Sequence, residues 1–126
     1  MIPYTIYKTV HVLAVFLIFI GLAGLATHAA NGGQKRENEV YGLLAGLHGL
    51  GLLLALVCGF GMWAVVMRTP GSPSAAWLVT KLIVWVLLAV AAVVPYRWPG
   101  YARAVLAVGL PLLGAFVVAV AVLKPY

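Results

Sequence analysis

The chain has 126 residues, of which 65% are hydrophobic and only 8% charged, with a mean hydropathy of +1.12. A soluble globular domain carries roughly a quarter of its residues as charges, so that class is excluded and an integral membrane protein of one domain, residues 1–126, is expected. The formal net charge of +6, eight Lys and Arg against two acids, is scattered over short loops; this pattern argues against nucleic acid as a partner and for contact with a lipid bilayer.

A bilayer core needs about 20 apolar residues per helix. The first such run covers residues 6–27. It is too long for a signal-peptide core and begins close to an intact Met1, so it reads as a transmembrane helix rather than a cleaved leader. It carries His11 near its start, and His28 stands just past its end. Seventeen positions at about 100° each leave them roughly 100° apart around the helix, on different stripes. His11 shares its face with Tyr4, Lys8, Ile18 and Leu25. "NGGQKRENE", Asn31 to Glu39, is the one strongly polar loop and holds both acids.

The second run covers residues 41–67 and opens "YGLLAGLHGLG". Gly42 and Gly46, and Ala45 and Gly49, form small-x-x-x-small pairs that admit a neighbouring helix. In the first helix Ala14, Gly21 and Gly24 are expected to do the same. His48 shares a face with Gly51, Ala55, Gly59 and Met62, a shallow groove beside an imidazole. Such a groove suits the edge of a porphyrin, and equally a histidine bonding a carbonyl across a tight helix pair. Cys58 is alone, with no metal-ligand spacing, and reads as a small buried hydrophobe.

"RTPGSPS", Arg68 to Ser74, is a turn, with Ser74 placed to cap the third run, residues 75–96. Here Lys81 is flanked at i−4 and i+4 by Trp77 and Trp85, one stripe in which indole rings can stabilise an ammonium or line a flat ligand. The other reading of Lys81 is a lysine reaching back to the interface. "PYRWPGY", Pro95 to Tyr101, is a tight turn whose Tyr96, Trp98 and Tyr101 suit the membrane–water interface. The fourth run covers residues 103–123, with Pro111 expected to kink it.

Short loops force antiparallel neighbours. The expected fold is therefore all-α, an up-and-down bundle of four transmembrane helices with both termini on one side. Lys8, Arg68 and Lys124 then lie on the terminal side and Lys35, Arg36, Arg97 and Arg103 on the other, a count of three against four that leans toward the latter side being cytoplasmic. His11 and Lys81 fall at one depth and are expected to be neighbours. His48 lies roughly 10–20 Å away along the bundle axis, so His11 and His48 do not clamp one metal between them. Intramembrane ionisable residues are costly and each needs a reason. His11 reads either as a metal ligand, with Lys81 receiving an anionic group, or as a hydrogen-bonding residue near the interface. No acid lies inside a run, and no Ser-His-Asp set, HExxH motif or phosphate loop is present.

"YKTVHVLAVFLIFIGL" resembles the first helix of HemJ-type protoporphyrinogen oxidases, through Lys8, His11, Gly21 and Leu22. "WLVTKLIVWVLL" resembles their third, through Trp77, Lys81 and Leu82. SirB-type and copper-resistance-D-type membrane proteins have similar helices, and His48 matches the histidine near the start of the SirB second span. The resemblance implies an integral protein of a membrane such as the bacterial inner membrane. It also implies binding of haem b or another porphyrin, and a protoporphyrinogen oxidase-like oxidoreductase activity. His11 would be the first axial ligand, Lys81 the second ligand or anion partner, and His48 a further metal-ligand candidate, with Trp77 and Trp85 lining the cofactor. The HemJ pattern continues into a Leu-Pro-Arg-like segment, whereas this chain reads "AGLATHAANGG" there, and its second helix lacks the Arg- and Thr-containing start. The rival expectation is a small accessory or scaffold subunit of a respiratory or photosynthetic membrane complex. Its Gly-rich second helix would contact a partner or a second copy, and its histidines would be structural.

Overall fold

The computed structural model describes residues 2–71 and 75–123. Helix α1 runs Tyr4–Ala30. Pro3 precedes it in an extended conformation, a place where its missing N–H costs nothing. The hydroxyls of Thr9 and Thr27 turn back onto the carbonyls of Thr5 and Ala23, at 2.8 and 2.7 Å. This hides polar groups that would otherwise interrupt an apolar helix. The helix stops where Gly32 takes the left-handed conformation, φ +82°, and Gly33 N–H returns to His28 O.

Helix α2 runs Tyr41–Val66 and α3 Ala75–Ala91. The third apolar run was expected to be one helix over residues 75–96; it is instead interrupted, with a separate turn, α4, at Val94–Arg97. Pro95 explains the break. It has no N–H to give the carbonyl of Ala91, and its ring crowds that carbonyl. The fourth run begins at Pro99 with a tight turn, continues through α5, Ala102–Ala104, widens into a π-helical turn at Val105–Gly109 and ends in α6, Leu110–Leu123. The expected disturbance at Pro111 takes this form: the wide turn lies directly before it, and Leu110 N–H reaches Val105 O five residues back. Ser74 and Lys124 lie outside the described residues.

The helices alternate in direction, as contacts between their starts and ends show. Gly21 on α1 meets Leu44 and His48 near the start of α2, whereas Tyr7 meets Gly61 near its end. Trp63 stacks with Trp77 across the α2–α3 connection, and His48 reaches Leu88. Trp77 faces Val120 on α6. Four spans, the last two including α4 and the whole of Pro99–Leu123, are long and apolar enough to cross a membrane.

The α1–α2 pair is the tightest contact in the bundle. A Cβ built on Gly51 would stand 2.7 Å from Ala14 O and 2.9 Å from both the backbone N and Cγ1 of Ile18, and one on Gly21 would stand 2.6 Å from Leu44 O. Glycine at these two positions is what allows the backbones to touch. Ala14, Ile18 and Leu22 are buried there with Ala55, Val84, Leu88 and Leu110. The Gly42 and Gly46 pair takes no part: a Cβ at Gly42, Gly46 or Gly49 meets nothing within 4 Å, so that face of α2 points outward. Only 33%, 22%, 11% and 11% of the most apolar windows of the four spans is buried. Large side chains such as Phe16, Leu112 and Val122 are exposed at 63%, 64% and 71%. The outside of the bundle is therefore as apolar as its core.

Candidate functional site

Below its core the bundle opens. The stripe Tyr4, Lys8, His11, Val15 and Ile18 on α1 faces Ala55, Gly59 and Trp63 on α2, and Trp77, Lys81 and Trp85 on α3, around a cavity of about 280 Å³. Helical spacing of three and four residues sets each of these stripes. Among the described residues no carboxylate lines the cavity; its polar groups are two lysines, one histidine, one tyrosine and three indoles.

His11 is held by its ring. Nδ1 lies 2.9 Å from Ala55 O on the facing helix. A carbonyl can only accept, so the proton is on Nδ1 and the lone pair of the neutral ring is on Nε2. Gly59, one turn beyond Ala55, supplies the space: a Cβ there would stand 3.3 Å from His11 Cε1. This is the arrangement that presets an imidazole for metal ligation, one nitrogen tied to a backbone carbonyl and the other left as the donor.

Lys81 reaches the same cavity from α3, within electrostatic range of His11. The two residues that depth alone paired are thus brought together. The Lys81 ammonium lies 3.8 Å from the centre of the Trp77 ring. Trp77 in turn stacks on Trp63 of α2, with centroids 6.0 Å apart and planes 25° from parallel. Cation and two indoles form one pile across the α2–α3 seam, and a cation over an indole face in a desolvated place is worth up to about 2 kcal/mol. Trp85 also lines the cavity, but its Nε1–H is committed to Leu52 O at 2.9 Å.

His48 lies elsewhere. His11 meets α2 at Ala55 and Gly59, seven and eleven residues beyond His48, which at 1.5 Å per residue is about 10–17 Å. His48 does not line the cavity. Its Nε2–H donates to Leu88 O at 3.0 Å, and its Cβ packs on Gly21. It is the one buried polar side chain among the described residues, 5% exposed, and it joins α1, α2 and α3. Its bond to Leu88 runs from α2 to a carbonyl of α3. Cys58 is buried and free.

His28 belongs to the opposite end of the bundle. Its Nδ1 is hydrogen-bonded to the Tyr96 hydroxyl at 2.7 Å, and that hydroxyl accepts from Asn38 Nδ2 at 2.9 Å. Sequence reasoning missed this chain and missed Trp63. The aromatic turn "PYRWPGY" signalled Tyr96 as interfacial but not as a partner of His28. Trp63 lay one turn past Gly59 on the His48 stripe without being read as part of the site.

Among the described residues no three His, Cys, Asp or Glu side chains converge on a point where they could hold a bare metal ion. One imidazole suffices only where the ligand brings the rest of the coordination shell with it. Comparisons with protein-family models, curated proteins and solved structures give no match.

Proposed function

We propose that this chain is a multi-pass membrane protein that binds a tetrapyrrole, haem b first, with His11 Nε2 as its axial ligand. The observation that carries the reading is the His11–Ala55 hydrogen bond, which leaves Nε2 as the donor nitrogen of a residue that lines the cavity. The apolar outer faces support insertion in a bilayer, since lipid is the solvent that tolerates them. The lining fits a tetrapyrrole in chemistry: indole walls for a flat ring, and Lys8 and Lys81 for carboxylates. The cavity volume, about 280 Å³, is just under the usual range of roughly 300–1,000 Å³ for a ligand pocket, so it encloses part of a macrocycle rather than all of it. Lys81 is the anion partner in this reading, and Trp77 and Trp63 set its position. His48 is a packing residue.

Bound haem would supply one-electron redox chemistry. The oxidation of a porphyrinogen that the HemJ resemblance implies is one use of such a site. Titration of the detergent-purified protein with hemin tests the reading. A Soret band that shifts on binding is expected in the parent chain and in His48→Ala, and is expected to be lost in His11→Ala. A band that survives both substitutions unchanged would remove the ligand assignment.

A second reading rests on the outward face of α2. Gly42, Gly46 and Gly49 leave open space flanked by exposed Leu43, Leu50 and Leu53, a surface on which a partner helix could lie as in an accessory subunit or homo-oligomer. A native mass well above one chain, with no pigment taken up, would favour it.

A further inference from the structure

The end of the bundle far from the cavity carries a broad, open depression formed by the α1–α2 loop and the first turn of α2. Gln34, Lys35, Arg36, Asn38, Tyr41 and Gly42 line it. Two are cations and none is an acid; Glu37 and Glu39 belong to the same loop but are not among the residues that line it. We propose that this concavity binds the phosphate-bearing headgroup of an anionic phospholipid. The proposal rests on the membrane reading above and is independent of the tetrapyrrole.

Three features make the concavity a prepared site rather than a loose charged loop. The loop is fastened at both ends. On one side Gly33 lies directly under the His28 ring, where any side chain would collide with it, and its N–H is bonded to His28 O. On the other, Asn38 Oδ1 accepts from Val40 N–H at 3.0 Å while its Nδ2 donates to Tyr96, whose hydroxyl is bonded to His28. The loop's cations are therefore presented from a frame that ties α1 to α4.

The second feature is the place of the cations. The Lys35 ammonium lies 4.8 Å from the centre of the Tyr41 ring, and Tyr41 meets Tyr96 edge-on with centroids 6.1 Å apart. Trp98 and Tyr101, exposed at 51% and 65%, continue the aromatic group at this end. Tyrosine and tryptophan prefer the headgroup level of a bilayer, so Lys35 and Arg36 stand where lipid phosphates are. The third feature is room. Gly42 has no side chain, and nothing lies within 4 Å of where one would be. The first turn of α2 contains no acid. A phosphodiester satisfies the lysine as a point charge and the arginine through paired N–H donors.

The test compares two charge-matched double variants of the full chain, Lys35→Gln with Arg36→Gln, and Arg97→Gln with Arg103→Gln. Each is titrated in detergent with phosphatidylglycerol, phosphatidylcholine and inorganic phosphate. Retained lipid is read by native mass spectrometry and the unfolding temperature by circular dichroism. Each basic residue near an anionic surface contributes roughly fivefold in affinity. The Lys35/Arg36 variant is therefore expected to bind phosphatidylglycerol about ten- to thirtyfold more weakly than the parent. The Arg97/Arg103 variant should stay within about twofold of the parent, phosphatidylcholine should bind far less, and inorganic phosphate should not displace the lipid. Equal losses in the two variants would mean a diffuse basic collar and overturn the proposal. So would an undiminished Lys35/Arg36 variant, or displacement of the lipid by inorganic phosphate. Failure of the membrane reading would look different: the parent chain would then stay in solution without detergent and retain no lipid of any kind.

Discussion

Glycine at position 51 holds the α1–α2 pair together, and replacing it by alanine measures how closely the two backbones approach. The new Cβ would stand 2.7 Å from Ala14 O and 2.9 Å from Ile18 N. Both are backbone atoms, so neither can rotate away and the helices must part. Overpacking of this kind costs about 1–3 kcal/mol. Against it stands the better helix propensity of alanine, a gain of about 1 kcal/mol in a helix interior. Gly46→Ala on the same helix supplies the control, because its Cβ meets nothing within 4 Å and only the propensity gain remains. The difference between the two variants cancels propensity and leaves the steric cost, about 1–3 kcal/mol. In thermal unfolding of the detergent-solubilised protein, each 1 kcal/mol is worth roughly 2–8 °C depending on chain size. Gly51→Ala should therefore unfold several degrees below Gly46→Ala, with the parent chain between them or close to the latter. Equal midpoints, or the reverse order, would refute the packing described for the bundle's core.

Other outcomes follow from single contacts. Trp85→Phe keeps an aromatic ring but loses the bond to Leu52 O and the volume of the five-membered ring; interhelical hydrogen bonds in apolar surroundings average about 0.6 and reach about 1.7 kcal/mol, so a loss of at least that order is expected in equilibrium unfolding. His48→Ala should cost more, about 2–4 kcal/mol, since it removes the bond to Leu88 O and leaves a cavity beside Gly21. Tyr96→Phe removes the hydroxyl shared by His28 and Asn38; faster amide hydrogen exchange over residues 31–40 is expected, with exchange at the α1–α2 core unchanged.

Much of the fold was legible because apolar run length is a strong signal: four runs, four spans, and the polar loop at Asn31 to Glu39 all stand where expected. The breaks inside the last two spans were less legible. Pro95 reads as part of a turn after the helix, but its effect on the carbonyl of Ala91 ends α3 earlier. The π-helical turn before Pro111 is a register adjustment that hydropathy does not encode. The glycines divided against expectation for a physical reason. In a chain apolar all round, spacing shows that Gly42, Gly46 and Gly49 share a region, but not whether it faces another helix of this chain or the outside. On α2 Gly51 does the close work instead, while Ala14, Gly21 and Gly24 of α1 meet that helix closely as expected. The same ambiguity hid Trp63, whose role depends on the rotation of α2 about its axis. Pairing of His11 with Lys81 was legible because depth follows from counting residues; the bond from His11 to Ala55 was not, since every helical residue has a carbonyl and nothing in the sequence marks one as the acceptor.

The central claim is that His11 Nε2 is a ligand donor on the cavity wall, and His11→Gly with added imidazole tests it most directly. The substitution empties the place of the ring beside Gly59 and Ala55, and free imidazole can re-enter it. The account predicts that the hemin-dependent Soret band is lost in His11→Gly and returns as imidazole is titrated in, with a circular dichroism spectrum unchanged throughout. A band that persists without imidazole, or a folded variant that imidazole does not restore, would contradict it.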